Sequence, residues 1–277
     1  MHPLLIVVLA PVSVLVLSLL IPSTRLLSRI APVLFFVQLA AMAFSLFPVL
    51  AGQEKVFCLL PEVCVDRLGA LFSLLTQVVV AAATTHAVVF FEQDDAHNLQ
   101  NTRSVRIFYA CSSLLLLAMT AVYFCDNLGF IWIALETTTL CSASLVYYHG
   151  TKHSLEAAWK YLIICSVGIA FALFGTVLIF ASSQYGATPK GSLNLSELSA
   201  HAEYLRYPLL RLGFLFCLLG YGTKAGIFPL HGWVPDAYSA APAPASAMLS
   251  GGLLNCSLFA IWRLCELVRA SGHDSFV

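Results

Sequence analysis

Long apolar runs alternate along this chain with short polar interruptions, and the runs exceed what a buried helix of a water-facing domain needs. Windows of about 20 apolar residues, enough to cross roughly 30 Å of hydrocarbon, fall near 3–21, 31–51, 68–91, 105–125, 127–148, 156–181, 207–231 and 243–268. The pattern predicts an all-α polytopic transmembrane bundle of about eight spanning helices. The interruptions are polar: Pro22–Ile30 with Arg25 and Arg29, Gly52–Arg67, Glu92–Arg103 with Asp94 and Asp95, and His149–Leu155. Only Ser182–Arg206 is long. Its Leu193, Leu195, Leu198 and Leu205 among polar neighbours predict a short interfacial helix. The first run, Pro3–Ile21, has no basic residue before it and no small-residue cleavage site after it, so it reads as helix one and not as a removed signal.

Helix seven stands apart from the others. Gly220, Gly222 and Gly226 weaken it and Pro229 removes a backbone hydrogen bond, so an interruption between Gly222 and Pro235 is expected. Irregular backbone at membrane depth survives only beside protein or water. Helix seven should therefore line a cavity, with its freed carbonyls turned to a polar interior.

Composition agrees with the hydropathy pattern, since 60% of the 277 residues are hydrophobic and 10% charged. Fourteen basic and fourteen acidic residues give a formal net charge of zero, which supplies no electrostatic footprint for nucleic acid and no polybasic tail. Lys and Arg divide almost evenly between the two faces, so the positive-inside rule does not orient the chain. Nine cysteines occur without a CxxC pair, most in apolar surroundings where the thiol packs as a small hydrophobe. Cys58 and Cys64 share a loop and could bridge if that loop faces an oxidising compartment; the sequence leaves this open.

Two charges lie where hydrocarbon disfavours them. Glu136 is near the midpoint of Leu128–Tyr148, and Lys224 lies inside Tyr207–Leu230. A charge at mid-bilayer costs roughly 2.5–3.5 kcal/mol on insertion scales, so such residues are usually paired or hydrated and usually functional. Proton or ion movement is the chemistry they suggest, with a structural carboxyl bonded to Thr138, Thr139 or a neighbouring helix as the competing reading of Glu136. His231 follows Lys224 by seven residues, on the same face of an unbroken helix, and imidazole suits proton relay near neutral pH; it could equally brace the broken backbone. Lys160 is a second basic candidate, against which stands a snorkelling pair with Glu156 at i,i+4. Asp236 reads more readily as a helix cap. There is no HExxH, P-loop, GxGxxG or cysteine cluster, so no metal, nucleotide or iron–sulfur cofactor is expected. A b-type haem would need two axial ligands at compatible depth, and near the apolar spans only His86 and His231 are available.

The run from Asn127 to Arg263 resembles the antiporter-like membrane subunits shared by respiratory complex I, multisubunit cation/proton antiporters and membrane-bound nickel-iron hydrogenases. The stretch KAGIFPLHGWVPDAYSAAPAPASAMLSG is close to that family's signature. LEAAWKYLIICSVGIAFALFGT and SGGLLNCSLFAIWR look most like the F-type subunit of hydrogenase-4 and formate hydrogenlyase complexes. The resemblance implies that Glu136 is the helix-five glutamate and Lys224 the broken-helix lysine that together control protonation, and that Lys160 matches a helix-six lysine found in part of the family. Relatives in complex I often carry a lysine in helix eight where this chain has Asn255, which orients water but carries no cationic proton. The family usually has about fourteen helices with two inverted repeats. Residues 1–103 would then be an N-terminal three-helix segment and 104–277 the first five-helix repeat. The second repeat is absent, which implies an N-terminal fragment or a split polypeptide.

The function implied is that of a proton-translocating subunit in the inner membrane, N-terminus periplasmic and with no redox centre of its own. It would be coupled to electron transfer in a peripheral redox arm through neighbouring membrane subunits. The hydrogenase or formate hydrogenlyase assignment leads. A complex I or cation/proton antiporter subunit, or a structural or assembly fragment with an incomplete channel, is the rival.

Overall fold

The computed structural model describes residues 3–21, 23–52, 56–60, 63–96, 102–185 and 191–272. Helices α1 (Pro3–Leu20) and α2 (Thr24–Leu50) lead into a hairpin of β1 (Val56–Leu60) and β2 (Val63–Asp66), followed by α3 (Arg67–Ala96), α4 (Thr102–Phe124), α5 (Leu128–Val146) and α6 (Lys152–Ser183). After a short α7 (Leu195–Ala200) come α8 (Tyr207–Lys224), α9 (Trp233–Ala240), α10 (Ala243–Met248) and α11 (Leu254–Ala270), the last two joined by one π-helical turn at Leu249–Leu253. Among the described residues, six helices are long and apolar enough to cross a membrane. The shorter α1 and the interrupted α8–α9 complete the polytopic bundle expected from the hydropathy.

Large apolar side chains face outward as well as inward, and the interior also holds polar groups. Trp159, Ile163, Val167 and Phe174 of α6 are exposed, whereas Thr138, Thr139, Ser142 and Lys224 are buried. Hydrocarbon outside removes the incentive to bury Leu and Phe, so small residues and internal hydrogen bonds set which helices touch. The α6–α8 seam shows this directly. A Cβ on Gly175 would lie 2.6 Å from the Gly213 carbonyl oxygen, and one on Gly220 would lie 2.6 Å from the Ala172 amide nitrogen.

Three expectations need correction. The second helix begins at Thr24 and not near residue 31, capped by the Ser23 hydroxyl accepting from the Leu26 amide and running through Pro32. Arg25 and Arg29 lowered the local hydropathy without ending the helix, and the Ser28 hydroxyl bonds to the Arg25 carbonyl in the turn before the proline. Gly52–Arg67, expected as loop, contains the antiparallel hairpin, in which Cys58 stands opposite Cys64. α3 extends to Ala96, into the segment expected as connection.

The long connection, of which 186–190 lie outside the described residues, folds back onto the α4–α5 corner. The Leu128 amide donates to the Leu193 carbonyl at 3.0 Å, and the Asn127 side-chain amide to Asn194 Oδ1 at 2.8 Å. α7 is the short helix expected there.

Candidate functional site

The break in helix seven is a finished helix end. α8 closes with Gly226 in the left-handed region at φ 67°, the Ile227 amide donating to the Gly222 carbonyl at 2.9 Å and the Gly226 amide to Thr223 at 3.2 Å. This is the Schellman pattern, which only a residue tolerant of positive φ accommodates without strain. Trp233 at the start of α9 donates its indole N–H to the Thr223 carbonyl at 2.9 Å. The interruption stands where the glycines and proline placed it. The carbonyls of Gly222 and Thr223 are satisfied by the Ile227 and Gly226 amides and by the buried Trp233 indole.

Lys224 is the last residue of α8, a position at which a helix dipole favours a cation. Its side chain is fully buried, and Nζ donates to Thr139 Oγ1 on α5. Glu136 is three residues earlier on α5, at the middle of that 19-residue helix. Its Oε1 accepts from the Ser166 hydroxyl of α6 at 3.0 Å, while Oε2 is buried without a protein partner. One helical turn beyond Thr139, the Ser142 hydroxyl is 2.6 Å from the Tyr161 hydroxyl. α5 therefore presents Glu136, Thr139 and Ser142 at a spacing of three, which sets them along one face.

Glu136 and Lys224 make no direct ion pair, although the carboxylate is among the charges acting on the lysine. They are connected through α5, where the lysine's hydroxyl partner sits one turn from the acid. Glu136 Oε2 keeps open lone pairs, and the ammonium keeps N–H donors beyond the one given to Thr139.

Lys160 and His231 lie away from this interior. Lys160 is exposed and bridges Glu156 at 2.8 Å and Asp236 at 3.1 Å. The i,i+4 pair was legible in the sequence; Asp236, which joins α6 to α9, was not. His231 is exposed at the break, its ring 5.6 Å from that of Phe228. With α8 ended at Lys224, the same-face relation of an unbroken helix does not hold.

Sequence reasoning missed Ser166, a serine inside a long apolar run with no local signal of its partner. It also missed the Asp66–Arg263 pair at 2.5 Å, which ties the hairpin to α11. Burial pushes the Asp66 carboxyl upward, and the Arg263 hydrogen bond and charge outweigh that to hold it below the usual carboxylate range.

Residues 125–275 match the family described as NADH:quinone oxidoreductase/Mrp antiporter, transmembrane. The chain is 40% identical over 214 residues to a hydrogenase-4 component F homolog of Methylacidiphilum infernorum, which covers 76% of this chain and 44% of that protein. It is 32% identical over 184 residues to NADH-quinone oxidoreductase subunit N of Helicobacter hepaticus, covering 64% and 35% respectively. The chain thus spans less than half the length of these relatives. Its fold is shared with a chain of the archaeal membrane-bound sulfane sulfur reductase (TM-score 0.77, 21% identity, 97% of this chain and 53% of that one). The Mrp complex of Dietzia sp. contains another such chain (TM-score 0.78, 18% identity, 99% and 50%), and so does Thermus thermophilus complex I (TM-score 0.67, 20% identity, 97% and 62%). Matched over more than half its residues and carrying the interrupted helix and buried lysine described above, the chain belongs to the antiporter-like transmembrane family common to NADH:quinone oxidoreductases and Mrp antiporters.

Proposed function

We propose that this chain translocates protons as an inner-membrane subunit of a redox-driven complex, of membrane-bound nickel-iron hydrogenase or formate hydrogenlyase type. The observation that carries the reading is the fully buried Lys224 at the end of α8, bonded to Thr139 one turn from Glu136. A lysine held by one neutral hydroxyl and a carboxylate with one oxygen unpartnered form a pair whose protonation responds to small changes in separation. In this mechanism Lys224 holds and releases the proton, Glu136 sets when it does so, and charge movement in a neighbouring subunit changes their interaction. Catalysis of electron transfer belongs to other subunits in a peripheral arm. His231 would pass protons between the break and the surface, and Lys160 would serve as a second basic site on the α6 side. The 40% identity to a hydrogenase-4 component F homolog favours the hydrogenase-type assignment over complex I.

The orientation proposed puts the N-terminus in the periplasm. α1 and α2 form an antiparallel pair, so the hairpin after α2 lies on the N-terminal face, and Cys64 in that hairpin is disulfide-bonded. Disulfides persist in oxidising compartments, which supports a periplasmic face there. Residues 1–103 would form an accessory segment and 104–277 one antiporter-like repeat.

The test is proton uptake into vesicles carrying the assembled complex with Lys224→Met or Glu136→Gln. Loss of uptake with intact assembly is expected. Loss of assembly in both variants would instead favour a structural subunit.

A further inference from the structure

We propose that Tyr161 and Tyr238 form a hydroxyl relay that carries protons between the surface Lys160–Asp236 pair and the buried Lys224. This relay, which rests on the proton-carrying role proposed for Lys224, supplies the path by which that lysine is reached.

The two tyrosines are sequence neighbours of the two halves of one ion pair. Lys160 precedes Tyr161 on α6, and Asp236 lies two positions before Tyr238 on α9. The 3.1 Å bridge between Lys160 and Asp236 fastens α6 to α9 from outside. Behind it, Tyr161 is fully buried, and Tyr238 is half-buried with its hydroxyl oxygen shielded and without a hydrogen-bond partner among the described residues. The Trp233 indole packs beside both rings, its centroid 4.8 Å from that of Tyr161 and 6.3 Å from that of Tyr238. Its N–H is the one bonded to the carbonyl of Thr223, next to Lys224. The helix end that places Lys224 therefore also places the two phenols.

The inner end of the relay lies on α5. The Tyr161 hydroxyl is 2.6 Å from that of Ser142, and either can donate. Ser142 is one turn beyond Thr139, whose hydroxyl holds Lys224 Nζ. A relay must pass a proton and then turn its hydrogen bonds back, which a hydroxyl can do because it is donor and acceptor at once. Buried hydroxyls are normally paired with protein or with water. One water shared by Tyr238 and the remaining lone pair of Tyr161 would complete the link. Tyr238 and Glu136 both act electrostatically on the Tyr161 hydroxyl.

The path also has a direction. Ser166, the partner of Glu136, follows Tyr161 by five residues, a rise of about 7.5 Å, so the relay leads from the level of Glu136 toward the start of α6. In the orientation proposed above that is the cytoplasmic face. A proton taken up at Asp236 passes to Tyr238, each hydroxyl accepts one proton and releases its own, and the neutral amine of Lys224 receives the last.

The test uses vesicles carrying the assembled complex, with proton uptake and redox turnover with artificial acceptors measured side by side. Tyr161→Phe and Tyr238→Phe keep the rings against Trp233 and remove only the hydroxyls. Neither orphans a buried donor, since Ser142 retains its 2.6 Å bond to the Thr138 carbonyl and Tyr238 gives up no protein partner, so assembly and melting should match wild type. Each variant should lose most of its proton uptake while redox turnover continues. Tyr109→Phe, which removes a buried, unpartnered hydroxyl packed against Phe91 and Phe108 on another helix, should pump as wild type does. Wild-type uptake in either folded relay variant would overturn the relay. So would an equal loss in Tyr109→Phe, or a loss that in both relay variants comes only with failed assembly. Lys224→Met is measured in parallel: its failure to pump beside normal pumping by the relay variants would strike the relay alone, whereas normal pumping by Lys224→Met would strike the role on which the relay rests.

Discussion

Lys224 reaches from the end of α8 to the hydroxyl of Thr139 on α5, one helical turn from Glu136, so the two intramembrane charges share one scaffold without touching. A buried ammonium with a single neutral partner depends heavily on that partner. Thr139→Val should therefore reduce proton translocation and destabilise the bundle by about 1–3 kcal/mol, the cost of leaving a buried polar group unsatisfied. Thr139→Ser, which keeps the oxygen, should recover most of both. Vesicle pumping and detergent thermal melts read the two effects; a valine variant that matches wild type would show that the contact is incidental.

The α6–α8 seam predicts a steep size dependence. Gly175→Val places branched carbon against the Gly213 carbonyl and the Cys217 backbone and should cost about 1–3 kcal/mol or more. Gly232→Ala, where nothing lies within 4 Å and φ is −58°, should stay within about 0.5 kcal/mol of wild type. Melting of the purified chain distinguishes them.

Acid should loosen the hairpin end first. Asp66 is held below its ordinary value by Arg263, so its contribution is fully present above the unfolded value of about 3.9 and is lost as pH falls through the lower folded value. Asp66→Asn should cost about 1 kcal/mol near neutrality and flatten the acid limb of the stability profile. A parallel wild-type and variant profile between neutrality and strong acid would exclude this role.

Orientation can be read with thiol chemistry. An impermeant maleimide added outside spheroplasts should label Cys64 only after reduction, and labelling should need no detergent. Reaction confined to inside-out vesicles would reverse the proposed topology.

The polytopic helical class and the site of the break were legible because hydropathy and backbone punctuation are local properties. Gly226 and Pro229 announced an interruption whatever surrounded it. Glu136 and Lys224 were legible because charge in an apolar run is conspicuous by itself. What surrounds them was not. Ser166 and Asp236 acquire their roles only when α6 packs beside α5 and α9, a relation that no local spacing names. The hairpin was hidden because its strands are short and separated by only two residues. The meeting of Asp66 with Arg263 spans nearly 200 positions of sequence, which no local pattern encodes.

The central claim is that Lys224 carries the transported proton. In vesicles containing the assembled complex, the number of protons moved per electron transferred should fall sharply for Lys224→Met, while the rate of the peripheral redox reaction with artificial acceptors stays near that of wild type. An unchanged proton-to-electron ratio in a correctly assembled Lys224→Met complex would contradict it.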